Sequence, residues 1–192
     1  MEWKYNTTGI PDEMFHRGDV PITKSEIRTL TLSKLNLFSD CKLLDIGCGT
    51  GSITVEAGIL CRQGEITAID KNQEAVALTQ KNIEKFGLKN AKTFIMDASR
   101  ELPNETFHRV FIGGGGKELE HIIKSSKDIL TKDGIVVINT ILIESTYDAL
   151  NSLEKYGYKD IECISANISI GHKISGWMMK ALNPIYIIKA GV

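Results

Sequence analysis

Apolar residues along this chain fall into two alternating rhythms. Short, nearly continuous apolar runs rich in β-branched side chains are separated by longer stretches whose apolar positions recur three and four apart. The first pattern predicts strands and the second amphipathic helices. The runs are "KLLDI" at 42–46, "EITAID" at 65–70, "AKTFIMD" at 91–97, "RVFI" at 109–112 and "GIVVINTILI" at 134–143. A capping box at Thr23-Lys24-Ser25-Glu26 predicts a first helix with Ile27, Leu30 and Leu35 inside. A second helix from Ser52 places Ile53, Ala57, Leu60 and Cys61 on one face and ends by Gly64. A third, from Asn72, carries Val76, Thr79, Ile83 and Phe86 and stops at Gly87. A fourth buries Leu119, Ile122, Ile123, Ser126, Ile129 and Leu130, and a fifth spans Glu144 to Tyr156.

Strand and helix in strict alternation predict an α/β fold, a doubly wound and mostly parallel sheet with helices on both faces. The last fifth departs from this. "YKDIECISANISI" alternates Ile164, Ala166, Ile168 and Ile170, and "NPIYIIKA" is a further strand, with only "GHKISGWMMKAL" between them. The sheet is therefore expected to end in an antiparallel pair, joined by an excursion or hairpin over residues 167–183. Residues 1–22 read as an irregular arm, and 1–192 as one domain.

Composition narrows the function classes. An apolar fraction of 42% with 24% charged residues is that of a folded globular chain. A net charge of −1 provides no global field to recruit nucleic acid, and no apolar run reaches membrane-spanning length. With no hydrophobic leader at the start, the expected setting is cytoplasmic. Cys41, Cys48, Cys61 and Cys163 form no C-x-x-C pair and lack nearby histidines at metal spacing, so reduced, packed thiols and no protein-bound metal are expected.

The turn after the first strand carries the chemistry. Gly47-Cys48-Gly49-Thr50-Gly51 follows Asp45 and opens a helix, so bare backbone and a helix N-terminus meet a ligand. Asp70 ends the next strand, where a carboxylate can accept ribose hydroxyls. Together they indicate an adenosine-containing ligand. A dinucleotide fingerprint would need a glycine at 52, which is Ser52. D-x-G-x-G-x-G followed by a strand-end acid is the pattern by which class I methyltransferases hold S-adenosylmethionine, and Asp97-Ala98 stands where such enzymes touch adenine. After the fourth strand, Gly113 to Gly116 replace the Asn-Pro-Pro-Tyr of enzymes that methylate planar amines, leaving a side-chain-free floor for a large flat substrate.

The opening "GIPDEMFHRGDVPITKSEIR", "DIGCGTGS", "RVFIGGGGKELEHII" and "GWMMKALNPIYII", in this order, resemble the decarboxylating precorrin methyltransferases of cobalamin biosynthesis, the CbiT family. The likeness covers nearly the whole chain and matches the stand-alone type, on the early-cobalt, anaerobic branch. It implies S-adenosylmethionine as methyl donor, held by Thr23, Gly47, Cys48, Gly49, Thr50, Gly51, Asp70 and Ala98. It implies methylation of C15 of cobalt-precorrin-6B with loss of CO₂ from the C12 acetate, giving cobalt-precorrin-7. Substrate would rest on Gly113, Gly114 and Gly115. His172 and Lys173 stand where relatives often place arginines, keeping positive charge without the bidentate fork. His16, Arg17, Lys24 and Lys180 are further candidates for a cationic rim. The resemblance also implies a homotetramer, and a separate C5-methyltransferase as functional partner.

No nucleophile, catalytic dyad or general base stands out, as befits transfer from an already activated sulfonium. The alternatives are a class I methyltransferase acting on another small molecule or on RNA, an inactive scaffold of the same fold, and a dehydrogenase. Intact glycines and Asp70 disfavour the scaffold; Ser52 and the antiparallel ending disfavour the dehydrogenase.

Overall fold

The computed structural model describes residues 3–5 and 7–192; Met1, Glu2 and Asn6 of the expected arm lie outside the described residues. Strands β1 (Lys42–Ile46), β2 (Glu65–Asp70), β3 (Ala91–Ile95), β4 (Phe107–Ile112), β5 (Leu130–Thr140), β6 (Lys159–Ala166) and β9 (Ile185–Gly191) form one seven-stranded sheet in the order β3-β2-β1-β4-β5-β9-β6. Five strands pair in parallel, and β9 runs antiparallel to both β5 and β6. Strands β7 (Ser169–Lys173) and β8 (Trp177–Ala181) make a separate two-stranded hairpin between β6 and β9.

Helices α1 (Ser25–Leu35), α2 (Ser52–Leu60), α3 (Gln73–Lys85), α4 (Leu119–Ile129) and α5 (Ile143–Lys155) cover the sheet. The period-2 alternation of the central strands sorts their side chains into two cores. Leu44, Ile46, Val110, Ile112, Val136 and Ile138 meet α4 and α5 through Ile122, Ile123, Ala149 and Leu153. Leu43, Phe111 and Val137 face α1 and α2 through Ile27, Leu35, Ile53 and Ala57. Asp45 falls on this second face, a carboxyl in a strand whose other inner positions are apolar.

Several expectations need correction. Thr23 does not cap α1: Lys24 is the N-cap without a side-chain bond, and Glu26 is exposed. Instead the buried Arg28 reaches back and its Nη1 donates to the Thr23 carbonyl at 2.5 Å, fixing the helix entry from inside. The third strand ends at Ile95 rather than Asp97, because Asp97 folds into a turn on Ser99. Leu130 opens β5 rather than closing α4, so β5 begins earlier and ends at Thr140. On α3 the buried stripe runs through Ala75, Leu78, Thr79, Asn82 and Ile83, leaving Val76 half-buried. Three thiols are packed as expected, but Cys163 is exposed.

Candidate active site

Where strand order reverses between β1 and β4, the loops that follow them part and leave a crevice, the usual ligand position in open α/β sheets. Here it is a cavity of about 840 Å³ along the C-terminal ends of the parallel strands. Its walls are the 47–50 loop, Asp70, residues 96–99, the glycines after β4, and the arm from Val20 to Lys24.

The 47–51 loop is held from behind. The Gly47 and Cys48 amides both donate to the Ile69 carbonyl, at 2.9 and 3.1 Å, which fastens the loop to β2. Thr79 Oγ1 donates to the Gly49 carbonyl at 3.0 Å, and Asn82 Nδ2 donates to that of Thr50 at 2.8 Å. Gly47 takes φ +75°, and a Cβ there would stand 3.3 Å from the Gly114 nitrogen, closing the gap between the two loops. Gly51 has a different task. At φ +74° it caps α2, and a Cβ would lie 2.7 Å from Thr79 Cγ2, so this glycine lets α3 pack against the loop. It does not line the cavity.

Asp70 sits at the β2 tip, as expected. Its Oδ2 accepts from the Gly49 amide at 3.1 Å and its Oδ1 from the Asn72 amide at 2.9 Å. An ionised carboxylate has about four acceptor positions, so each oxygen keeps one for a ligand. Asp97 accepts from the Ser99 amide at 3.1 Å and hydroxyl at 2.7 Å, and these bonds hold its carboxyl below the usual range. Ala98 is buried beside it.

Asp45, the acid that opens the D-x-G-x-G-x-G motif, was given no contact role from the sequence. It is fully buried and lines the cavity. Oδ2 accepts from Thr54 Oγ1 at 2.5 Å, while Oδ1 has no partner. Burial pushes its pKa from 3.8 up to about 7, partly offset by the Thr54 bond and reinforced by Asp70. A buried, unpartnered acceptor is costly and calls for a donor or cation in the cavity. It also repels a pyrophosphate at the α2 N-terminus, arguing against a dinucleotide. Burial likewise keeps the Cys48 thiol protonated, well above its ordinary range, so it is no nucleophile.

The glycines after β4 differ among themselves. A Cβ at Gly113 would crowd Phe111 Cε1 at 3.0 Å, and one at Gly115 would crowd Leu119. At Gly114 a Cβ would meet nothing within 4 Å, so packing does not require glycine there, and its effect is to keep the cavity floor bare. Ile141 and Ile168 also line the cavity, as do the exposed Lys24, Lys71 and Lys117. Lys24 is partly engaged by Asp12 at 3.2 Å.

Of the residues singled out in the sequence, the fold brings Thr23, Gly47, Cys48, Gly49, Thr50, Asp70, Ala98, Gly113, Gly114 and Gly115 to this one cavity. His172 and Lys173 are on β7 of the hairpin, outside its lining, as are His16, Arg17 and Lys180. Asp45, Asn139, Lys71 and Lys117 join the lining without having been singled out as site residues. Of these, Asp45 alone carried a sequence signal, as the acid that opens the glycine motif.

The profile of the precorrin methyltransferase domain matches residues 13–186. A curated protein of Saccharolobus solfataricus, named a probable cobalt-precorrin-6B C(15)-methyltransferase (decarboxylating), is 45% identical over 98% of both chains. The crystal structure of precorrin-6y C5,15-methyltransferase from Geobacter metallireducens superposes with a TM-score of 0.92 at 34% identity, covering 99% of this chain and 100% of that one. Precorrin 8w decarboxylase from Methanobacterium thermoautotrophicum superposes at 0.87 with 32% identity, over 95% and 100%. With a cavity of this build and likeness along its whole length, the chain belongs to the precorrin methyltransferase family.

Proposed function

We propose that this protein transfers a methyl group from S-adenosylmethionine to C15 of cobalt-precorrin-6B, with loss of CO₂ from the C12 acetate. The observation that carries the reading is the close approach of two bare backbone surfaces, the 47–50 loop and Gly114, on the wall of a cavity where the buried Asp45 leaves Oδ1 without a partner. When bound, the donor supplies a sulfonium methyl for in-line attack by an electron-rich ring carbon. The residues fit such a donor: Asp45 Oδ1 is free to meet a cationic amino-acid head, and Asp70 keeps acceptor positions for ribose hydroxyls. Residues 96–99 and Ala98 form the wall expected for adenine, and Thr23 closes the arm side.

The protein's share of the chemistry is placement. Holding two reactants in near-attack geometry supplies on the order of 7–11 kcal/mol of a bimolecular barrier. The flat glycine floor and the apolar side chains of Ile141 and Ile168 suit a macrocycle face, and Lys24, Lys71 and Lys117 suit its peripheral carboxylates. On decarboxylation the C–C bonding pair passes into the conjugated ring, the C12 methylene takes up a proton to become a methyl group, and C15 gives up its own proton on methylation; no side chain is assigned to either transfer.

The decisive experiment is incubation with cobalt-precorrin-6B and methyl-labelled donor, followed by mass analysis. Gain of one labelled methyl with loss of CO₂ is expected; methylation without that loss would refute the decarboxylating assignment. The wider reading is a cytoplasmic homotetramer without nucleic-acid or membrane partners, working beside a separate C5-methyltransferase. Its support is that no described helix is long and apolar enough to cross a membrane, and that the hairpin exposes apolar side chains. There Ile174, Trp177 and Met179 are 67%, 75% and 63% exposed, an apolar group of the kind that a subunit contact covers. Light scattering tests it, with a monomer as the refuting result.

A further inference from the structure

The arm forms one wall of the cavity, yet between Phe15 and Thr23 it has no regular secondary structure to hold it. Two buried polar side chains outside the cavity do so. Glu56, on α2, accepts from the Gly9 and Ile10 amides at 2.9 and 2.8 Å and from Arg28 Nε at 2.6 Å. Arg28, itself fully buried, bonds the Ile10 and Thr23 carbonyls and pairs with Asp12. This staple holds the arm at Gly9, Ile10 and Asp12, ahead of the irregular segment, and at Thr23, its end.

Asn82, on α3, holds its middle. Its Oδ1 accepts from the His16 amide at 2.8 Å, and its Nδ2 donates to the His16 carbonyl at 2.9 Å. The same Nδ2 donates to the Thr50 carbonyl of the glycine loop at 2.8 Å. One fully buried carboxamide thus joins two cavity-forming segments that are remote in sequence. Beyond that joint the arm lies directly on the loop: a Cβ at Gly49 would stand 3.4 Å from the Pro21 carbonyl oxygen and 3.7 Å from Val20 Cγ1. Neither surface can shift without straining the bond to the other.

We infer that Asn82 is a positioning residue for donor binding: it sets the arm and the glycine loop in one frame, so that arm order and donor affinity are coupled. This rests on the donor reading above. Asn82 touches no ligand and acts through Thr50 and His16. Removing its side chain frees the His16 amide and two carbonyls, and the arm is expected to loosen while the sheet persists.

The test compares the whole protein with Asn82→Ala and Asn82→Asp, the latter keeping size but opposing the two carbonyls. Calorimetry with S-adenosylmethionine gives affinity, and trypsin cleavage after the exposed Arg17 reports arm order. Ile123→Ala, in the opposite helical layer, is the control for general loss of stability. Both Asn82 variants are expected to weaken donor binding about tenfold and to be cleaved faster, while the control changes neither by more than about twofold. In the wild type, donor is expected to slow exchange of the His16 amide, a measurement that needs no variant. Unchanged donor affinity in the Asn82 variants, an equal loss in the control, or unchanged His16 exchange overturns the inference alone. A wild type that binds no donor overturns the donor reading and this inference together.

Discussion

Replacing Asp45 by Asn tests the electrostatic design of the cavity. The carboxyl ionises near pH 3.8 when exposed and near pH 7 in the fold, because burial penalises its charged form. At about 1.4 kcal/mol per pH unit, that displacement corresponds to roughly 4 kcal/mol. The sign follows from linkage: the folded state holds the proton more tightly, so there is no penalty below pH 3.8. Stability is then lost progressively as pH rises to about 7 and stays lost above it. Asn carries no charge and preserves the acceptor for Thr54. The ligand-free Asp45→Asn protein is therefore expected to gain stability relative to wild type between pH 4 and 7.5, by roughly 2–4 kcal/mol after partial relaxation of the site. Thermal unfolding across that range measures it, and the difference between the two proteins cancels the titration of every other carboxylate. Donor binding reverses the order. A cationic ligand draws the proton off Asp45, so wild-type affinity rises about tenfold per pH unit below 7 and then levels, whereas the variant binds weakly at every pH. A wild-type affinity flat from pH 5.5 to 8, or a variant with the same pH-dependent stability as wild type, would refute the reasoning.

Gly114→Val is expected to leave stability within about 0.5 kcal/mol, since nothing lies near its Cβ, while raising the substrate KM with donor affinity unchanged; calorimetry and steady-state kinetics separate the two. Gly51→Ala is expected to cost about 2–3 kcal/mol in denaturant unfolding, combining a left-handed φ with contact on Thr79. Asp70→Ala is expected to weaken donor binding by roughly 1–3 kcal/mol, part of it from release of the Gly49 amide; unchanged affinity would place the ribose elsewhere. Trp177→Lys, with Met179→Lys, is expected to dissociate the proposed tetramer in light scattering without unfolding the subunit, because both side chains are exposed.

The sequence alone determined the alternation of strands and helices, the parallel sheet with its antiparallel ending, and the two motifs that flank the cavity. These are legible because they are local. Apolar period reports which face is buried, and a glycine-rich turn between a strand and a helix restricts the backbone whatever surrounds it. Residues 47–50 and Asp70 were readable for the same reason: the βαβ unit places consecutive strand tips side by side. The tertiary structure decided what depends on partners distant in the chain. Glu56 sits on a helix buried nearly all round and Asn82 on an amphipathic one, where a polar residue looks like an interruption, and only the folded arm supplies the amides and carbonyls that make them anchors. Thr23 does not cap because the helix begins one residue later, with Lys24 at the N-cap, while Arg28, buried against Glu56, holds the Thr23 carbonyl. Leu130 went to a strand because β4 offered it a ladder at Phe107. His172 and Lys173 left the cavity lining because their strand pairs with β8 in a hairpin of its own. In each case a hydrogen bond or burial between remote segments outweighed a local preference worth less than about 1 kcal/mol per residue.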